Sequence, residues 1–129
     1  MIVLDASAAV ELLLQTRVGV RVADRALAQE ESIHAPHLLD VEIAQLVRRY
    51  ARSGIISAER GAEALTDLAD FPLRRYPHFV LLPRIWELRH SLTAYDAAYL
   101  ALAEALNAPL VTRDRALVSA AGGVRVELL

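Results

Sequence analysis

Two short apolar runs fix how this chain can fold. Ile2-Val3-Leu4 ends at Asp5, and Leu110-Val111-Thr112 is followed one residue later by Asp114. Three-residue runs with no polar alternation suit strands covered on both faces, which is the situation of strands in a parallel sheet. Helical patterns fill the chain between them. Strands that alternate with helices in this way predict an α/β fold, with helices on both sides of a short, mainly parallel sheet.

The remaining elements follow from periodicity and breakers. A first helix is expected over Ala6 to Gln15, with Gly19 as punctuation, and a second over Val20 to Glu31. Ser32 to Ala35 reads as a short strand. Pro36 suits the first turn of a helix from about His37 to Ser53, which carries Leu39, Ile43, Leu46, Val47 and Tyr50 on one stripe and stops at Gly54. Ser57 is placed to cap a helix reaching about Asp70, and Leu73 to Tyr76 reads as a strand. Phe79 to Ser91 is helical in pattern, weakened by Pro83, and Thr93 caps a strong helix over Ala94 to Leu106. After Leu110 to Thr112 come a short helix to Ala121, a Gly122-Gly123 turn and a last strand over Val124 to Leu128. The expected domain organisation is a single domain over residues 1–129, without repeats or linkers.

Composition excludes more than it identifies. There is no cysteine, so no disulfide, thiolate ligand or thiol nucleophile is available. All fourteen basic residues are arginine. Without lysine there can be no Walker-type phosphate loop and no Schiff base. The first residues lack a signal-peptide pattern and the apolar stretches are too short or too charged to span a bilayer, so a cytoplasmic protein without a membrane partner is expected. The net charge of −2 does not mark a nucleic-acid binder, and such a role needs local arginines or a bound cation.

Four of the sixteen acids stand out by position. Asp5 and Asp114 follow strands, where ligands bind in open α/β sheets. Asp96 lies in the first turn of the helix capped by Thr93, at the helix end that faces the same edge. Glu42 borders the apolar stripe of its helix, and Asp40 borders the other side, so periodicity does not choose between them. Each acid also has an ordinary reading: Asp5 and Asp114 as N-caps, Asp96 as the partner of Thr93 in a capping box, Glu42 as a surface residue. Carboxylates gathered at one place raise one another's pKa, and a divalent cation with a preference for oxygen offsets that repulsion.

The combination of segments resembles the PIN-domain ribonucleases, in particular VapC-type toxins of toxin–antitoxin pairs. The resemblance rests on Ile2-Val-Leu-Asp-Ala-Ser7, Pro36-His-Leu-Leu-Asp-Val-Glu42, Thr93-Ala-Tyr-Asp-Ala-Ala-Tyr99 and Leu110-Val-Thr-Arg-Asp-Arg-Ala-Leu117, in that order and spacing over nearly the whole chain. It implies a PIN-domain α/β/α sandwich and a Mg²⁺- or Mn²⁺-dependent hydrolysis of RNA phosphodiesters. It also implies a site of Asp5, Glu42, Asp96 and Asp114, with Asp5 and Asp96 foremost as metal ligands. Ser7 and Thr112 fall at positions whose hydroxyls support the site. A VapB-type antitoxin and a homodimer are the implied partners. Rival readings are a PIN nuclease acting on DNA or structured junctions, and a non-catalytic module that binds RNA or protein.

Other features bear on the substrate. Arg113 and Arg115 flank Asp114 and are candidate contacts to RNA phosphate, or else part of a solvated loop. Arg48, Arg49 and Arg52 read as a solvated helix face. His34 and His37 have the spacing of a metal pair but no evident third ligand, and His78 and His90 carry no pattern. Trp86 is expected to pack. The apolar-rich first two helices and the Ile55–Leu68 region suit a partner helix, or an ordinary core.

Overall fold

The computed structural model describes residues 1–28 and 30–129. Five strands, β1 (Ile2–Leu4), β2 (Ile33–Pro36), β3 (Leu73–Tyr76), β4 (Leu110–Thr112) and β5 (Val126–Leu128), form one sheet in the order β3-β2-β1-β4-β5. Every neighbouring pair is parallel. Ile2, Val3 and Leu4 are 0–1% exposed. Because successive side chains of a strand point to opposite faces, that burial means that both faces of the central strand are covered.

Among the described residues, seven α-helices supply the cover: α1 (Ala6–Leu13), α2 (Arg17–Leu27), α3 (Leu38–Arg52), α4 (Ala58–Asp70), α5 (Leu82–Glu87), α6 (Ala94–Leu106) and α7 (Arg115–Ser119). The first four pack against one another, and α1 and α3 also touch the sheet. Helix α6 lies along β1, β2 and β4. Its residues Ala97 to Ala103 are all buried. A helix buried on every side has almost no polar face, and this one is signalled by its Thr93 cap and its alanine and leucine content. It ends at Asn107, whose φ of 50° closes the helix in the left-handed region.

The strand and helix order matches the sequence expectation, with local corrections. Gly19 is not punctuation. It lies inside α2, capped by Thr16, at a point where a Cβ would sit 2.1 Å from the Glu11 carbonyl oxygen. The glycine allows α1 and α2 to touch, a contact that no local pattern reveals. The expected helix to Glu31 stops at Leu27, and its passage through Gln29 lies outside the described residues. Pro36 does not open α3; it ends β2, opposite Tyr76. The cap of α3 comes from far along the chain: the Leu38 N–H donates to Nε2 of His78 at 2.8 Å. Pro83 divides the expected helix at 79–91 into a 3₁₀ turn at Phe79–Leu81 and α5, with the proline in the first turn. The last strand starts at Val126, two residues later than expected.

Candidate functional site

The parallel sheet puts the carboxyl ends of all five strands on one edge. The chain leaves β1 toward β2 and β3 on one side, and β4 and β5 fill the other side, so the order reverses between β1 and β4. A crevice at such a reversal is the usual ligand position of an open α/β sheet. Asp5 and Asp114 stand just past the ends of those two strands. A cleft of about 310 Å³ opens there, and Asp5, Glu42, Asp96 and Asp114 all line it, with Ser7, Gln45, Arg49 and Tyr99.

Asp5 is 5% exposed. Its Oδ1 accepts from the Ser7 hydroxyl at 2.7 Å and from the Ala8 N–H at 3.0 Å, and its Oδ2 accepts from the Thr112 hydroxyl. The bond from Ala8 is the N-cap of α1, so the capping reading and the cleft reading of Asp5 hold together. Burial pushes the carboxyl up to about 6; the three hydrogen bonds oppose that rise and the charge of Asp96 adds to it.

Ser7 and Thr112 bind the two strand ends together. The Ser7 hydroxyl also accepts from the Arg113 N–H at 3.0 Å, and the Thr112 hydroxyl accepts from the Asp114 N–H at 2.9 Å. The loop carrying Asp114 is thereby tied to the groups that hold Asp5. Asp114 itself caps α7 through the Ala116 N–H at 2.9 Å. At the start of α6, the Asp96 N–H donates to the Thr93 hydroxyl at 3.2 Å. The reciprocal half of a capping box is not formed, and the Asp96 carboxylate accepts no hydrogen bond among the described residues. Partial burial raises its pKa, and the charges of Asp114 and Glu42 raise it further.

Glu42 accepts a 2.5 Å hydrogen bond from the phenol of Tyr99. Burial, then Glu42 itself, drives the Tyr99 pKa upward, so the phenol stays protonated as a donor. Asp40, which periodicity could not separate from Glu42, turns elsewhere: Arg75 grips both of its oxygens at 2.8 and 3.0 Å. Tyr99 and Arg49 are cleft residues that sequence reasoning missed. Tyr99 closes a quoted motif but reads as helix core. Arg49 belongs to a basic cluster that looks like a solvated face, and only the fold shows it beside the acids.

The other candidates fall outside the cleft. The Arg113 guanidinium is held by Glu11 at 2.6 Å, and Arg115 is exposed, with no ion pair among the described residues. Both nitrogens of His34 are occupied, Nδ1 by the Tyr76 hydroxyl at 2.6 Å and Nε2 by the Ser32 hydroxyl at 2.8 Å. Burial lowers its pKa, and the ring of His37 packs edge-on against His78 instead. Trp86 is 67% exposed, with Arg89 stacked 4.3 Å from its ring centre, so the expected packing role does not hold.

The donor set fits a divalent cation. It contains only hard oxygen ligands, and the acids shift one another in the direction that a cation reverses. Among the described residues, no three acidic or histidine side chains lie close enough together to hold a metal ion as they stand. An open arrangement of carboxylates suits Mg²⁺, which keeps several waters and takes few ligands from protein.

Comparison with known proteins identifies the family. The PIN-domain profile matches residues 2–123. Ribonuclease VapC9 of Mycobacterium tuberculosis is 47% identical over 114 residues, covering 88% of this chain and 86% of the relative. The crystal structure of PAE2754 from Pyrobaculum aerophilum superimposes with a TM-score of 0.71 at 27% identity, covering 97% of this chain and 82% of that one. The structure of VapBC2 from Rickettsia felis, bound to a DNA fragment from their promoter, gives a TM-score of 0.70 at 17% identity, covering 98% of both chains. The matched profile and the identity to VapC9 assign one membership: this chain belongs to the PIN-domain family, among the VapC ribonucleases.

Proposed function

We propose that this chain is a metal-dependent ribonuclease and the toxin of a toxin–antitoxin pair, in which Asp5, Glu42, Asp96 and Asp114 hold Mg²⁺ or Mn²⁺. The observation that carries the proposal is the convergence of the four acids on one cleft in a chain 47% identical to a VapC ribonuclease. A cation bound there supplies charge shielding for the scissile phosphate and an acidified water.

The chain's own residues prepare that chemistry. Asp5 presents an anionic carboxylate at neutral pH, fixed by Ser7, Ala8 and Thr112. Asp96 offers a carboxylate with its oxygens uncommitted. Asp114 is held in place by the Thr112 hydroxyl through its own N–H. Arg49, at the cleft wall, offers a guanidinium that can grip an RNA phosphate in two places. Arg115, exposed outside the cleft, is a further candidate contact to RNA phosphate. Arg113 is committed to Glu11 and reaches a phosphate only by leaving it.

A VapB-type antitoxin is the proposed partner, as the VapBC2 complex suggests by analogy. Val20, Leu27, Ile55 and Leu65 are the large exposed apolar residues available to it in the regions singled out from sequence; Val22, Ala26, Ala64 and Leu68 of the same regions are core. A homodimer and a single domain over residues 1–129 complete the proposal. Among the described residues, no helix is long and apolar enough to cross a membrane.

The direct test is cleavage of single-stranded RNA, duplex RNA and DNA with Mg²⁺ or Mn²⁺. Cleavage of RNA is expected, abolished by EDTA and reduced at least about a hundredfold by Asp5→Asn or Asp96→Asn, since each removes a metal ligand. Undiminished cleavage in EDTA overturns the metal requirement, full activity in both variants overturns the site, and cleavage of DNA alone overturns the substrate.

A further inference from the structure

Tyr99 stands out among the groups that the proposed chemistry leaves unused. Its side chain is 1% exposed, yet its hydroxyl reaches the wall of the acid cleft. There it donates to Oε1 of Glu42 at 2.5 Å, across 57 residues of chain. The backbone amide of Ala6, the residue after Asp5, lies beside the same phenol oxygen. One hydroxyl thus stands between the end of β1, which carries Asp5, and α3, which carries Glu42. Glutamate has three rotatable side-chain bonds, and a partly exposed one on a helix ordinarily samples many rotamers. The Tyr99 ring is rigid, sits in the core of α6 and is one turn from Asp96. It therefore relates three elements that carry acids of the site.

We propose that Tyr99 is a positioning residue: its hydroxyl fixes the Glu42 carboxylate toward the cleft that Asp5 and Asp96 share, and so sets the affinity of that cleft for a divalent cation. This rests on the reading of the cleft as a metal site. A hydrogen bond to a ligating carboxylate orients it and limits its motion, and loss of such a partner commonly weakens metal binding about 10- to 100-fold. Tyr99 need not touch the cation or the RNA to have this effect. The remaining oxygen of Glu42 stays free for the cation while the phenol holds the other.

The test uses Tyr99→Phe, which keeps the ring and its packing, and measures Mn²⁺ binding by titration calorimetry on the intact protein. Thermal unfolding in EDTA serves as the check on folding. The variant is expected to melt within a few degrees of wild type and to bind Mn²⁺ at least about tenfold more weakly. In a Glu42→Gln background the same change is expected to make no further difference, because the carboxylate it positions is gone. Equal Mn²⁺ affinity in wild type and Tyr99→Phe overturns the proposal while leaving the metal site standing. An equal loss in both backgrounds also overturns it, since Tyr99 then acts through packing and not through Glu42. If wild type binds no Mn²⁺, or binds it undiminished after Asp5→Asn and Asp96→Asn, the underlying reading of the cleft fails, and the proposal with it.

Discussion

At Asp5 a single carboxylate caps a helix, accepts two hydroxyls and lines the cleft. The cost is electrostatic. Burial lifts its pKa to about 6, so between the unfolded value near 4 and about 6 the folded protein retains a proton that the unfolded chain has released. Stability of the cation-free protein therefore falls as pH rises through that window, by about 3 kcal/mol in all. Asp5→Asn is expected to raise the melting temperature in EDTA at pH 7.5 and to change it little at pH 4, where the wild-type carboxyl is already neutral. A variant that melts lower at pH 7.5 would show that the three hydrogen bonds matter more than the buried charge. In wild type the cation must compete with that proton, so Mn²⁺ affinity measured by calorimetry is expected to weaken as pH drops below about 6.

At the scale of elements, the site depends on contacts between pieces distant in sequence. Glu11 of α1 holds Arg113 in the loop before Asp114 and also takes the hydroxyl of Thr16, the cap of α2. The close approach of α1 and α2 needs the missing side chain of Gly19, where a Cβ would meet backbone atoms of Glu11. Gly19→Ala is expected to destabilise the fold by about 1–3 kcal/mol, read as a lower midpoint in urea unfolding, because backbone cannot yield as a flexible side chain can. An unchanged midpoint would show that the helices separate freely. His78 is a second long-range support: it caps α3 and fixes the start of the helix that carries Glu42.

At the scale of the molecule, the surface around the 3₁₀ turn and α5 is unusual. Phe79, Val80, Leu82 and Trp86 are all exposed there. Clustered exposed apolar side chains mark interaction surfaces more often than isolated ones do, and this surface is the candidate interface of the proposed homodimer. Trp86→Glu is expected to convert a dimer to a monomer in light scattering at micromolar concentration. A variant that remains dimeric places the interface elsewhere, and a monomeric wild type removes the dimer from the proposal. The opposite arrangement, apolar residues fully withdrawn, is seen in α6, where burial on all sides makes the helix the backing of the sheet and the platform for Asp96 and Tyr99.

Sequence by itself determined the elements whose signals are local. The runs at β1 and β4, the caps at Ser57 and Thr93, and the alternation of strands with helices are set by nearest-neighbour chemistry, and the parallel sheet follows from them. The four acids were named from motif order, and the structure brings them to one cleft because parallel strands share a carboxyl edge. Tertiary structure alone decided the rest. It turned Asp40 to Arg75 and Glu42 to Tyr99, brought Arg49 to the cleft wall, and put Pro36 in a strand and Gly19 in a helix. Those outcomes depend on which partner arrives from another element, and periodicity along one helix or strand carries no record of that partner. Asp5 shows the division most clearly: its place after a strand and its N-cap bond to Ala8 are local and visible in sequence, while its burial, its raised pKa and the Thr112 donor exist only once β4 has packed beside β1.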